Sequence, residues 1–182
     1  MKLSTLALLL GLGTALANVY GVLKPAAFAA AARKFPRYTA AGYVLTLLAT
    51  VWFIYNLSLE SVSDFASFKP ALYALFAAVG VGTCLFVKDF LAVRGLALMF
   101  LMLAFLMVNT ARWVDTSWRL VIITWAYVWV IAGMWFTVSP WRLRDLIDWA
   151  TATESRTRLL SGVRMAFGLF VAALGLTAFK GM

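Results

Sequence analysis

Five arginines and three tryptophans are the side chains whose types and spacing offer chemistry in this sequence. Arg142 and Arg144 form one pair, Arg156 and Arg158 a second, and Arg164 follows inside an apolar run. Guanidinium groups clustered beside apolar sequence suit the anionic oxygens of lipid headgroups, because the planar fork matches a phosphate or carboxylate bidentately. A charge within an apolar segment is a functional candidate by default, so Arg164 stands out as a contact for an anionic headgroup or substrate. Two simpler roles compete with it. Arg164 lies only about 7 to 8 Å of helical rise from Leu159, where its run begins, so its guanidinium can snorkel to the headgroup layer, or it can pair with Asp89. Trp118, Trp125 and Trp129 fall at i, i+7 and i+11, on one face of a helix. Such a stripe is first of all an aromatic seam between helices, and could otherwise line a groove for a flat hydrophobic ligand such as a quinone, a pigment or a lipid tail.

Much other chemistry has no residues to perform it. The chain contains no His, which removes the commonest zinc ligand, the usual haem ligand and the Ser-His relay. Cys84 is the only cysteine, so a disulfide within the chain and a Cys-x-x-Cys redox pair are impossible, and its apolar surroundings predict a buried, inert thiol. The acids Glu60, Asp64, Asp89, Asp115, Asp145, Asp148 and Glu154 all lie between or at the ends of apolar runs. Ion-coupled carriers usually place a carboxylate at mid-membrane, and none is available here. No metal site, no cofactor and no catalytic residue is therefore predicted.

The elements that must hold these residues follow from composition. Of 182 residues 64% are hydrophobic and 13% charged, with mean hydropathy +0.93 and a net charge of +9. A soluble domain carries about 25% charged residues, so a water-soluble globule is excluded, and the basic residues are too dispersed for a nucleic-acid face. A bilayer needs about 20 apolar residues per helix. Six runs supply them: Leu3 to Leu23, Tyr38 to Leu57, Pro70 to Val87, Phe90 to Val108, Leu120 to Val138 and Leu159 to Phe179. The expected fold is all-α, a single integral membrane domain over residues 1–182. On alternate sides the links and flanks carry Lys24, Arg33, Lys34, Arg37, Lys88, Arg94, Arg142, Arg144, Arg156 and Arg158 against Lys2, Lys69, Arg112, Arg119 and Lys180. Positive charge is retained in the cytoplasm, which puts both termini outside. Ala15-Leu16-Ala17 imitates a signal-peptide cleavage site. Cleavage there would leave five spans and turn the basic links outward, so retention of the first span is expected.

The chain reads as three helical hairpins closed on the cytoplasmic side. Two of the closures, after Lys24-Pro25 and after Ser139-Pro140, begin with a proline and continue as short amphipathic segments. Leu143, Leu146, Ile147 and Ala150 make the apolar stripe of the second, flanked by Trp141 and Trp149, as expected of a helix lying in the headgroup layer. The stretch from Ser139-Pro140-Trp141-Arg142 through Arg156, Arg158, Gly162, Gly168 and Gly175, about the last quarter of the chain, resembles the YjeT-like family of short two-helix bacterial membrane proteins. That resemblance implies a bacterial inner membrane and no catalytic residues.

Small residues at four-residue spacing let helices approach closely in lipid. Gly13, Ala17 and Gly21 in the first span, Ala74, Ala78 and Gly82 in the third, and Gly168, Ala172 and Gly175 in the sixth predict three packing faces. The fourth span, rich in Leu, Met and Phe, lacks such a face and is expected to meet lipid or a partner through Met99, Met102 and Met107. In the outer link, Arg112 and Asp115 are spaced to pair. The function that emerges is a non-catalytic accessory or scaffold subunit whose partners are the lipid bilayer and other membrane subunits or a second copy. Alternatives are a small channel or carrier using Thr14, Asn18, Thr46, Thr50, Thr83 and Thr124, or a lipid-headgroup-binding membrane enzyme.

Overall fold

The computed structural model describes residues 2–60 and 67–181, whose regular structure is entirely helical; Asp64 lies outside them. The elements are α1 (Leu3–Leu23), α2 (Pro25–Lys34), a 3-10 turn (Phe35–Arg37), α3 (Thr39–Leu59), α4 (Lys69–Phe86), α5 (Leu91–Ala111), α6 (Arg119–Val138), α7 (Trp141–Ala150) and α8 (Glu154–Leu176). All but α2 and α7 are long and apolar enough to cross a membrane.

Proline sterics set two of the breaks. Lys24, ahead of Pro25, leaves the helical region (φ −131°, ψ 68°), while its N–H still bonds the Tyr20 carbonyl. Pro25 then opens α2, where its missing N–H costs nothing. Likewise α6 stops at Val138, ahead of Ser139-Pro140, and the Ser139 carbonyl accepts the Arg142 N–H as α7 begins. Between α4 and α5, Lys88 and Asp89 make the tight turn expected of them, and the chain re-enters the helix through Phe90 in the left-handed region (φ 53°). Side chains strain there, and Phe90 packs on the core formed by Val93, Ala97 and Phe136.

The chain divides into two compact units, each discontinuous in sequence: Met1–Lys34, Leu103–Ile131 and Arg144–Met182, and then Phe35–Met102 with Ala132–Leu143. Helices α5, α6 and α7 contribute residues to both. In the first unit α1 runs antiparallel to α8. Gly11 meets the backbone of Gly168 and Ala172, Gly21 meets Ser161, and Gly175 meets Ser4 and Leu8. Beside this contact lies a core of Leu3, Leu6, Ala7, Met107, Ile122 and Val171. The sixth run ends earlier than its hydropathy implies: α8 stops at Leu176, and Phe179 folds back, fully buried in the same core, with its N–H on the Leu174 carbonyl.

In the second unit Gly80 of α4 abuts Thr50 of α3, and Phe53 meets Phe76 edge-on with centroids 4.6 Å apart. Gly42 of α3 lies against the backbone of Leu91 and Ala92 in α5, and Gly95 against Leu45 and Thr46. The Thr46 hydroxyl is buried without a conventional partner. It would stand 2.9 Å from a β-carbon built on Gly95, so the absence of a side chain there is what lets α3 and α5 approach at this point.

Two packing expectations are corrected. On α1 the buried face is Gly11, Ala15, Asn18 and Gly21, while Gly13 and Ala17 point outward; on α4 it is Gly80 and Cys84, while Ala74 and Ala78 are exposed. The α8 face of Gly168, Ala172 and Gly175 is buried as expected. Far from lacking a packing face, α5 has the largest buried share of any span, 39% against 11% for α4. Ala97, Ala104 and Ala111, a heptad apart, are all fully buried, and so is Met107. In the outer link Arg112 sets its guanidinium over Trp113, 4.9 Å from the ring centroid, and forms no ion pair with Asp115. Arg119 instead donates to the Arg112 and Val114 carbonyls at 3.2 and 2.8 Å, closing the C-terminal end of α5.

Candidate functional site: a basic rim on the first unit

Because α1 and α8 are antiparallel, the C-terminal end of α1 and the N-terminal end of α8 lie at one end of the first unit, and α2 and α7 join them there. The joint is made by Arg33, the penultimate residue of α2. Its Nε donates to the Thr151 hydroxyl at 2.9 Å and its Nη2 to the Thr151 carbonyl at 2.7 Å. Thr151 follows the last residue of α7, is buried, and donates its own hydroxyl proton to the Ile147 carbonyl. Arg33 thus brings a cation to the carbonyl-rich end of α7, where cations are favoured. Asp148 stands 3.6 Å from the same Nε, with both partners about half exposed. That ion pair adds little, because water screens it; the two hydrogen bonds on Thr151 carry the joint.

Arg156 serves the same helix end from the other side. Its Nη1 donates to the Trp149 carbonyl at 3.1 Å and its guanidinium lies 5.2 Å from the Trp149 ring centroid. The Arg156 N–H is in turn accepted by the Thr153 hydroxyl, the cap that starts α8 five residues before the apolar run begins. Sequence reading put Arg156 among the anion contacts, yet it is engaged within the protein. Arg144 is engaged too, holding its neighbour Asp145 at 2.9 and 3.2 Å. Arg158 and Arg164 are exposed and form no hydrogen bond or ion pair among the described residues. Arg142, equally exposed and unpaired, belongs to the second unit.

Trp125 and Trp129 lie on α6, whereas Trp118 stands in the turn just ahead of it and not on the helix face expected; all three neighbour aromatic rings, among them two that sequence reading overlooked. Trp125 meets Phe167 of α8 and Trp129, each at 5.0 Å between centroids and near-perpendicular, and Trp118 approaches Phe170 at 6.3 Å. Edge-to-face pairs of this kind lock two helices together. The available signal was Phe167 and Phe170, three apart on one face of the last span.

Of the six polar residues read as a possible transport path, Thr46, Thr50 and Thr83 line one cavity of about 240 Å³ in the second unit, with Phe53, Phe76 and Met102 among the other walls. Thr50 and Thr83 give their hydroxyl protons to carbonyls four residues back, Thr46 and Val79. Asn18, in the first unit, does likewise with its amide on Thr14 at 2.8 Å. Thr50, Thr83 and Asn18 are thus satisfied inside their own helices, Thr46 is not, and the cavity walls are overwhelmingly apolar.

No protein-family model, curated protein or solved structure matches this chain.

Proposed function

We propose that this protein is a non-catalytic integral membrane protein, an accessory or scaffold subunit of a larger assembly in a bacterial inner membrane. In this reading its six long helices cross the bilayer as three hairpins with both termini outside. Helices α2 and α7 lie as amphipathic elements in the cytoplasmic headgroup layer. The observation that supports it is the pair of small-residue faces the chain leaves unused. Gly13 and Ala17 on α1, and Ala74 and Ala78 on α4, are exposed, and a side chain at Gly13 would meet nothing within 4 Å. Lipid gains nothing from such faces, whereas another helix gains a close approach.

Purification in mild detergent followed by native mass spectrometry tests this directly. The expected result is a companion subunit or a second copy that is lost when Gly13→Leu and Ala78→Leu are combined, with the fold retained. A lone monomer in every mild detergent would overturn the proposal.

The cavity lined by three threonines favours one second reading, a channel or carrier for a small solute. Liposomes carrying the protein would then pass ions or small polar solutes, and tight liposomes would dismiss it. The third reading, an enzyme acting on lipid headgroups, has less to draw on: Asp145 and Asp148 both face arginines, which leaves Glu154 as the unpaired carboxylate near them.

A further inference from the structure

A second hollow lies at the basic end of the first unit, a groove of about 620 Å³. Its mouth is formed by Ser155 and Arg158 in the first turns of α8, and its floor and walls by Gly162, Val163 and Ala166 of α8 with Val22 of α1. The groove is shallow and open along its length, with the lining residues Leu159 and Val163 exposed, so an occupant lies against the helices and is not enclosed by them. Polarity is graded along it. At one end stand a hydroxyl and a guanidinium with no partner among the described residues, and beyond them every lining side chain is apolar. From Arg158 to Ala166 the helix rises about 12 Å, close to the roughly 15 Å of one leaflet's hydrocarbon. Gly162 borders open space, where a β-carbon would meet no atom within 4 Å and a large side chain would fill the groove.

We propose that this groove holds one anionic phospholipid, its phosphate at Arg158 and Ser155 and one acyl chain lying over Gly162 toward Ala166. Charge complementarity selects the occupant. Arg33 and Arg156 are engaged on Thr151 and Trp149 and Arg144 on Asp145; Lys24, two residues beyond Val22, is exposed but does not line the groove, and Arg158 is the charged side chain that does. The carboxylate nearest in sequence is Glu154, one turn earlier and exposed, which forms no ion pair with Arg158. It adjoins the lining residue Ser155 in sequence, and its charge disfavours a headgroup that carries a second negative charge. The inference rests on the six long helices crossing a bilayer with this end in a headgroup layer, and does not require a partner subunit.

The test is native mass spectrometry of the full chain released from nanodiscs of equal parts phosphatidylglycerol and phosphatidylcholine. One retained phosphatidylglycerol is expected per chain. Arg158→Gln should lower its retention about fivefold, the loss of one cation near a charged headgroup, while Arg144→Gln, whose arginine is paired with Asp145, should leave it unchanged. Gly162→Leu should abolish retention without unfolding, and Glu154→Gln should raise it. Excess inorganic phosphate should fail to displace the lipid. Equal losses in Arg158→Gln and Arg144→Gln would show diffuse charge attraction and overturn the proposal, as would full retention in Gly162→Leu or displacement by phosphate. A co-purifying protein appears as a separate mass, so failure here is distinguishable from failure of the subunit reading.

Discussion

Replacing Gly11 by alanine tests the contact on which the first unit depends. A β-carbon there would stand 2.5 Å from the Ala172 nitrogen, 2.6 Å from the Gly168 oxygen and 3.0 Å from the Ala172 α-carbon. All three are backbone atoms, so no rotamer change relieves the clash, and α1 and α8 must separate by about 1 Å to restore ordinary contact at about 3.5 Å. A gap of that size forfeits a quarter to a half of each dispersion well along the crossing. Overpacking of this kind costs about 1 to 3 kcal/mol. Alanine's better helix propensity offsets up to about 1 kcal/mol of this. Gly13→Ala supplies the matched control, two residues away on the same helix, with the same propensity gain and nothing within 4 Å of the new carbon. The difference between the two variants therefore isolates the steric cost, about 1 to 3 kcal/mol, or roughly 5- to 150-fold in the unfolding equilibrium. Reversible unfolding in mixed micelles, followed by tryptophan fluorescence, reads it. Gly168→Ala should match Gly11→Ala, and the double variant should cost less than the sum, since one separation relieves both clashes. If Gly11→Ala proves as stable as Gly13→Ala, the α1–α8 packing described above is wrong.

Arg33→Met removes both hydrogen bonds to Thr151. Hydrogen exchange should rise at residues 148–156 with a loss of about 1 to 3 kcal/mol, and Arg33→Lys should rescue it only in part, because an ammonium cannot reproduce the fork. Gly80→Ala forces a β-carbon onto the stiff Thr50 side chain; it should destabilise the protein by about 1 to 3 kcal/mol, and Thr50→Ala in the same chain should recover most of that loss in the same unfolding assay. N-terminal sequencing of the purified protein should find a start before Asn18, because Leu3, Leu6, Ala7, Gly11 and Ala15 are buried parts of the first unit; a mature chain beginning at Asn18 would refute the retained first span.

The sequence by itself determined the number of the long helices and the places where proline ends them, because an apolar run of spanning length and a proline at its end act locally; it missed both limits of α8, which runs Glu154–Leu176 where the apolar run is Leu159 to Phe179. Lys24-Pro25 and Ser139-Pro140 break the helix wherever the rest of the chain lies, and Lys88-Asp89 turns where the apolar runs leave no other place. Sequence also placed Cys84 correctly in apolar, buried surroundings and read the α8 face of Gly168, Ala172 and Gly175. It did not determine which face of α1, α4 or α5 is inside. In a soluble protein hydrophobic periodicity separates core from surface; in lipid both sides are apolar, so the pattern around these helices carries almost no such information. Only steric fit to a particular neighbour decides that Gly11 and not Gly13 meets α8, that Gly80 and not Gly82 meets α3, and that α5, with its alanines a heptad apart, is the most buried span. The same holds for the polar joint. Arg33 and Thr151 are 118 residues apart, and nothing near either one announces the other; their meeting follows from α1 choosing α8, a choice that backbone-to-backbone approach at two glycines makes possible.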